Sequence, residues 1–284
     1  MRIQTFQPTL SMGIVLLQGS YGHELNQFIW MEKMSIDDDG NIYILDTGNK
    51  RVTKWMQGAS TGILVADGNA NNDHALEFDR AGGIFIEPNT SIIWIVDTFN
   101  HRIGKWYSSI ISQIVCGTYG SEDHQFMYPY GIFVDIEDSN TFYVADTYNH
   151  RIQMWKENST NGKTIAGKTN SFGSDLYHLW LPQTLIVDTN KNMFIVDTGN
   201  DRIIRWTIGL NFGIIIAGDI NGGDRSNQLN LPYNIAFDLN GSLFVADAGN
   251  NRVQKFPISC LNNVSSITTT STTPSITTAS KYII

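Results

Sequence analysis

The side chains best suited to chemistry in this chain are its 6 histidines and a set of recurring carboxylates. His23, His74, His124 and His178 fall in successive turn-rich segments, while His101 and His150 each stand between an Asn and an Arg. Clustered imidazoles hold zinc, and rings of carboxylates hold hard cations such as Ca²⁺. Asp37, Glu87, Asp135, Asp188 and Asp238 each close an apolar run just before a turn. A carboxylate in that position also caps the amides of the turn, and this is the role expected of all five. The histidines are spread over several repeats, and the fifth equivalent loop carries Asn227-Gln228 instead. No metal and no other cofactor is therefore expected. Gly-x-Ser-x-Gly, phosphate-loop and His-Glu-x-x-His patterns are absent, so the familiar hydrolase and nucleotide signatures are missing.

These residues are carried by a repeat. Asp46-Thr-Gly-Asn49-Lys-Arg51-Val-Thr-Lys-Trp55 returns as Asp97-Thr-Phe-Asn100-His-Arg102-Ile-Gly-Lys-Trp106 and Asp146-Thr-Tyr-Asn149-His-Arg151-Ile-Gln-Met-Trp155. It returns again as Asp197-Thr-Gly-Asn200-Asp-Arg202-Ile-Ile-Arg-Trp206 and Asp247-Ala-Gly-Asn250-Asn-Arg252-Val-Gln-Lys-Phe256, at steps of 51, 49, 51 and 50 residues. Each unit shows four short strand signals. One apolar run ends in the acid, a second leads into the motif Asp, a third is Arg-Val/Ile-x-x-Trp, and a fourth ends at Gly. Nothing sustains a helical period. The predicted fold is all-β: a β-propeller of four-stranded antiparallel blades.

Residues 2–6 match a third strand and 15–19 a fourth, so the sequence opens in mid-unit and reaches only strand three at Phe256. That register favours six blades with incomplete terminal blades; the alternative is a five-bladed ring closed by the N-terminal strand. The propeller is expected over residues 1–256. Residues 257–284, rich in Ser and Thr with Lys281 as the single charge, read as a disordered tail.

The Asp-x-x-Asn-x-Arg-Val/Ile-x-x-Trp pattern resembles the NHL repeat, most closely at Asn100-His101-Arg102 and Asn149-His150-Arg151. The resemblance spans residues 2 to 256 and implies a propeller, usually six-bladed. The family includes ubiquitin-ligase substrate arms, RNA-binding regulators, receptor sensors and a peptide-amidating lyase. The resemblance therefore implies a platform and leaves the ligand open. It does not supply a complete set of the lyase's metal-binding and catalytic residues here.

Repetition in every unit assigns Asp46, Asn49, Arg51, Asp97, Asn100, Arg102, Asp146, Asn149, Arg151, Asp197, Asn200, Arg202, Asp247, Asn250 and Arg252 to folding, with the acids and amides bonding turns and the Arg pairing an acid. The motif Trp and Phe are expected to pack blades together, and Cys116, in the slot of Ala66, Ala166 and Ala217, to be a small buried thiol. Positions that vary between units are the candidates for ligand binding: Phe99, His101, Tyr119, His124, Tyr148, His150, Trp180 and Arg225. Aromatic and His side chains around a concave mouth suit a peptide, a protein loop or a glycan.

The net charge of −8 disfavours nucleic acid. Two cysteines are too few for a disulfide framework, and no apolar run reaches the length of a membrane span. Sequons at Asn89, Asn158, Asn240 and Asn263 beside a mucin-like tail point to an extracellular glycoprotein, with a cytoplasmic protein as the alternative. The expectation is a monomeric, non-enzymatic platform for a protein or peptide ligand. A metal-dependent lyase or hydrolase is the second reading, and the substrate-recognition arm of a ubiquitin ligase or RNA regulator the third.

Overall fold

The computed structural model describes residues 2–5, 14–69, 77–219, 221–238 and 240–257, with side chains from residue 19 onward. His74, Cys260, the sequon at Asn263 and residues 258–284 of the Ser/Thr-rich segment lie outside the described residues. The chain divides into two compact units after Cys116.

In the first unit β1 (Arg2–Thr5) and β2 (Ile14–Gln18) pair antiparallel as a sheet of their own. A short parallel pair follows, β3 (Ser20–Tyr21) with β4 (Gln27–Phe28). Blade one is β5 (Met31–Ile36), β6 (Ile42–Asp46), β7 (Arg51–Trp55) and β8 (Ile63–Asp67). Blade two is β9 (Gly83–Ile86), β10 (Ile93–Asp97), β11 (Arg102–Ser108) and β12 (Ile111–Cys116). In the second unit blade three is β13 (Ile132–Asp135), β14 (Thr141–Asp146), β15 (Arg151–Trp155) and β16 (Lys163–Gly167). Blade four is β17 (Pro182–Val187), β18 (Asn192–Asp197), β19 (Arg202–Thr207) and β20 (Ile214–Gly218). Blade five holds β21 (Pro232–Phe237), β22 (Leu243–Asp247) and β23 (Arg252–Phe256). Five blades, the alternative count, is the one the structure supports. The two N-terminal strands read as members of an additional blade pair with each other.

In blades one, two and three the second strand (Ile42–Asp46, Ile93–Asp97 and Thr141–Asp146) is wholly buried, as suits runs of β-branched and aromatic residues. In every blade the second strand then enters a single 3₁₀ turn that ends in a left-handed residue: Lys50, His101, His150, Asp201 or Asn251, at φ of 50°, 56°, 57°, 54° and 53°. The turn reverses the chain so that the motif Asp faces the motif Arg, as in Asp46 with Arg51 and Asp197 with Arg202.

The buried Asp is the hub of each blade. Its Oδ1 accepts the backbone N–H of Ile29, Asp79, Met127, Trp180 or Asn230 at 2.6–2.8 Å, in the loop that leads into that blade. Its Oδ2 accepts Asn Nδ2 at 2.7–2.9 Å and Arg Nε at 2.7–3.0 Å. The guanidinium continues to carbonyls of the same loop, Arg202 reaching Ser174, Asp175 and His178. Burial raises the carboxyl pKa of Asp97, Asp146 (to about 6) and Asp197 against the pull of these partners. At Asp247 burial is outweighed by the hydrogen bonds of Asn250, the Asn230 amide, Arg252 and Gln254, which hold that carboxyl below its ordinary value.

Blades are joined by a second use of the motif. The Thr after the Asp donates to the carbonyl at the start of the next blade: Thr47 to Ala81 at 3.1 Å, Thr147 to Pro182 at 2.7 Å, and Thr198 to Pro232 at 2.8 Å. The fifth copy has Ala248 there and no hydroxyl to give. Apolar clusters run between neighbouring blades within each unit, with Trp106 in one and Trp206 in another. Trp55, Trp106 and Trp155 also meet a buried Phe of their own lead-in loop, Phe28, Phe78 and Phe126, at 5.4–5.5 Å. Replacing Asp197 with Ala leaves Arg202 buried without its counter-charge and is expected to cost about 3–5 kcal/mol. Thr198→Val strands one buried carbonyl and is expected to cost about 1–2 kcal/mol. Urea denaturation measures both; equal costs would contradict this ranking.

Candidate functional site

The motif turn and the lead-in loop meet at one end of each blade, and the variable residues gather there. In the second unit the turn of blade three presents Tyr148 and His150. Tyr148, 51% exposed, lies against Tyr128 with centroids 5.1 Å apart. His150 meets Phe172 edge-on at 5.4 Å, and Phe172 stacks on Trp180 at 5.5 Å with planes 28° apart. Phe172 and Trp180 are 61% and 40% exposed, so this is a ladder of rings offered to solvent.

The ladder is held from beneath. The Trp180 N–H donates to Asp197, and a Cβ at Gly199 would fall 2.5 Å from the Trp180 ring, so the glycine permits the close approach. The Leu181 N–H donates to His150 Nδ1 at 3.2 Å. In the following blade Asp201 Oδ1 accepts the Leu231 N–H in the same way, at 2.6 Å. Accepting at Nδ1 requires a lone pair there, and burial holds the His150 pKa below its ordinary value. The imidazole is therefore neutral at pH 7.

In the first unit Phe99 and His101 share the turn of blade two, beside Trp30 and Arg80. Tyr119, His124 and Arg225 are exposed on lead-in loops of the second unit, and the Arg225 carbonyl accepts from Arg252. His23 and His178 are tied to Asn49 and Asp175, each at 2.7 Å. Sequence reading passed over Tyr128 and Phe172, and Trp30 and Arg80 as well. Trp30, Arg80, Tyr128, Leu181 and Leu231 occupy one repeated position, left-handed at φ 56°, 41°, 46°, 49° and 45°. Their side chains share no chemistry, and the one local signal is the Pro that follows three of them.

The strand-one acids face the other end of the blade. Asp37, Asp188 and Asp238 accept amides of their own hairpin turns, and Glu87 accepts Trp94 Nε1 at 2.7 Å and pairs with Lys105 at 3.0 Å. Among the described residues no three His, Cys, Asp or Glu side chains gather as a metal site. Cys116 is half-buried, unlike the sealed Ala66, Ala166 and Ala217, and burial of its sulfur raises the thiol pKa. No described helix is long and apolar enough to cross a membrane.

No known family's profile and no curated protein sequence matches the chain. Solved structures do match. A streptogramin B lyase is 12% identical over 85% of this chain and 68% of its own, with a TM-score of 0.57. Virginiamycin B lyase from Staphylococcus aureus is 16% identical over 84% and 70%, with a TM-score of 0.56. An auxiliary nutrient binding protein from Bacteroides ovatus is 13% identical over 79% and 58%, with a TM-score of 0.57. The fold is a β-propeller of five blades. At such identities the likeness shows fold alone.

The His150 contact has a pH signature. A His with a depressed folded pKa adds stability that is present above its unfolded value of about 6.5 and is lost as pH falls through the folded value. Thermal melts between pH 7.5 and 5 should therefore fall more steeply for the native protein than for His150→Gln. Parallel curves would contradict the neutral-acceptor role.

Proposed function

We propose that the chain is a non-enzymatic binding platform, a propeller of the NHL-repeat type, that recognises a protein or peptide on the motif-turn end of its blades. The observation that carries this reading is the His150–Phe172–Trp180 ladder. Exposed aromatic rings are costly to leave in water and are the groups that anchor partners when they are rigidly held. These rings are fixed by the Leu181 amide and by contact with Gly199, and the staple of the blade does not use them. Their rigidity lowers the ordering cost of binding. Likeness to a nutrient binding protein agrees with a binding role, though it reaches this chain only through the fold.

The two lyase structures favour a second reading, in which a propeller of this shape performs an elimination or hydrolysis. The motif end would then hold the reacting groups as well. Stoichiometric bound metal, lost on substitution of His150 or His178, would support its metal-dependent form. We also place the protein outside the cell. Asn89, Asn158 and Asn240 are exposed in hairpin turns, and a drop in intact mass on removal of N-linked glycans tests this.

Peptides selected from a random display library against the whole protein provide the probe for the binding reading. Substituting Phe99, His101, Tyr148 and His150 together, or Phe172 and Trp180 together, should weaken selected binders by about 30-fold or more without lowering the melting temperature appreciably. Binders indifferent to both sets would overturn the site.

A further inference from the structure

Arg80 is the one basic side chain among the five left-handed lead-in positions. Its guanidinium carbon lies 5.0 Å from the Phe99 ring centroid and 5.7 Å from that of Trp30, and these rings are 40% and 64% exposed. The backbone beneath is fixed, because the preceding Asp79 N–H donates to the buried Asp97 at 2.8 Å. The Asp79 carboxylate is engaged by Lys50 at 3.6 Å. Burial holds the His101 pKa below its ordinary value, which adds no cation to the corner at neutral pH.

What sets Arg80 apart is its freedom. Arg51 and Arg102 give their N–H groups to a motif Asp and to loop carbonyls. Arg80 makes no hydrogen bond or ion pair with any described residue, and it is exposed. A guanidinium lying over aromatic rings keeps its in-plane N–H fork open, and that fork matches the two oxygens of a carboxylate. Being already packed, it loses little rotamer freedom on binding. A pre-positioned cation with no partner among the described residues, on a chain of net charge −8, is a focus for anions.

We propose that Trp30, Arg80 and Phe99 form a binding site for a carboxylate carried on a flat apolar body. The Arg80 fork takes the carboxylate oxygens, while the exposed rings cover the body. Three parts are thus in place: a planar donor, two apolar walls and a fixed backbone. The site lies within the first unit and stands independently of the ring ladder on blade three.

The test uses the whole protein with ¹⁵N-labelled arginine, following the Arg80 Nε–H resonance assigned by its loss in Arg80→Gln. Benzoate should shift it saturably, and acetate, which lacks the flat body, should bind about tenfold more weakly. Benzyl alcohol, which lacks the charge, should leave it unmoved. Arg80→Lys, followed by calorimetry with benzoate, should weaken binding about fivefold or more, because an ammonium has no fork. Phe99→Leu, confirmed folded by its melt, should weaken it about threefold. A shift that grows linearly without saturation, or equal shifts with benzoate, acetate and chloride, would overturn the site.

Discussion

A carboxylate sealed from water between an arginine and a loop amide is the interaction on which the rest of this structure depends. All five motif Asp residues are fully buried, and a lone carboxylate in that position would be prohibitively costly. Each is tolerated because it is completely occupied, one oxygen by a backbone N–H of the lead-in loop and the other by Asn and Arg. The upward pull on the pKa of Asp97, Asp146 and Asp197 is the trace of that desolvation. A hydrophobic replacement would relieve it, yet would leave the loop carbonyls and amide without partners. The ion pair is therefore best understood as a device for shape: it fixes where a loop that carries few strands of its own must lie.

Function grows out of that constraint. Because every lead-in loop is tied to the turn of its own blade, the residues beside the tie are held rigidly without being dictated by it. The left-handed lead-in position and the residue between Asn and Arg can vary freely, and they do: Trp, Arg, Tyr and Leu at the first, Lys, His, Asp and Asn at the second. Each blade thus presents a different pair of side chains on the same frame. The Tyr128 ring against Tyr148 and the Arg80 guanidinium over Phe99 are two outcomes of one geometry.

Much of this was legible in the sequence. The Asp–Asn–Arg spacing named the hub, since only a shared structural role explains its return in all five units. Four of the five acids ahead of the hairpins, Asp37, Asp135, Asp188 and Asp238, cap turn amides as expected, whereas Glu87 bonds Trp94 and Lys105 instead. The blade count was harder. Residues 2–6 and 15–19 look like blade strands because strand propensity is local, but which strand pairs with which is not. The motif Thr was visible in four copies, yet its partner lies some 35 residues on, at Pro182 for Thr147, and no local pattern points there. Tyr128, Trp30 and Arg80 were missed for a related reason: a left-handed non-glycine residue is imposed by the tie on either side and leaves no composition of its own.

The central claim is that the buried carboxylate, and not local loop preference, holds the lead-in loops in place. Native-state hydrogen exchange of the amides of Met127 and Trp180 tests this most directly. Both lie in loops, but both donate to a motif Asp, at 2.7 and 2.6 Å. If the tie governs the structure, these two amides exchange as slowly as the central-strand amides of Val144 and Ile195, through global opening alone. Exchange at the rate of ordinary loop amides, with the strands still protected, would show that the loops open independently and that the hub does not organise the blade.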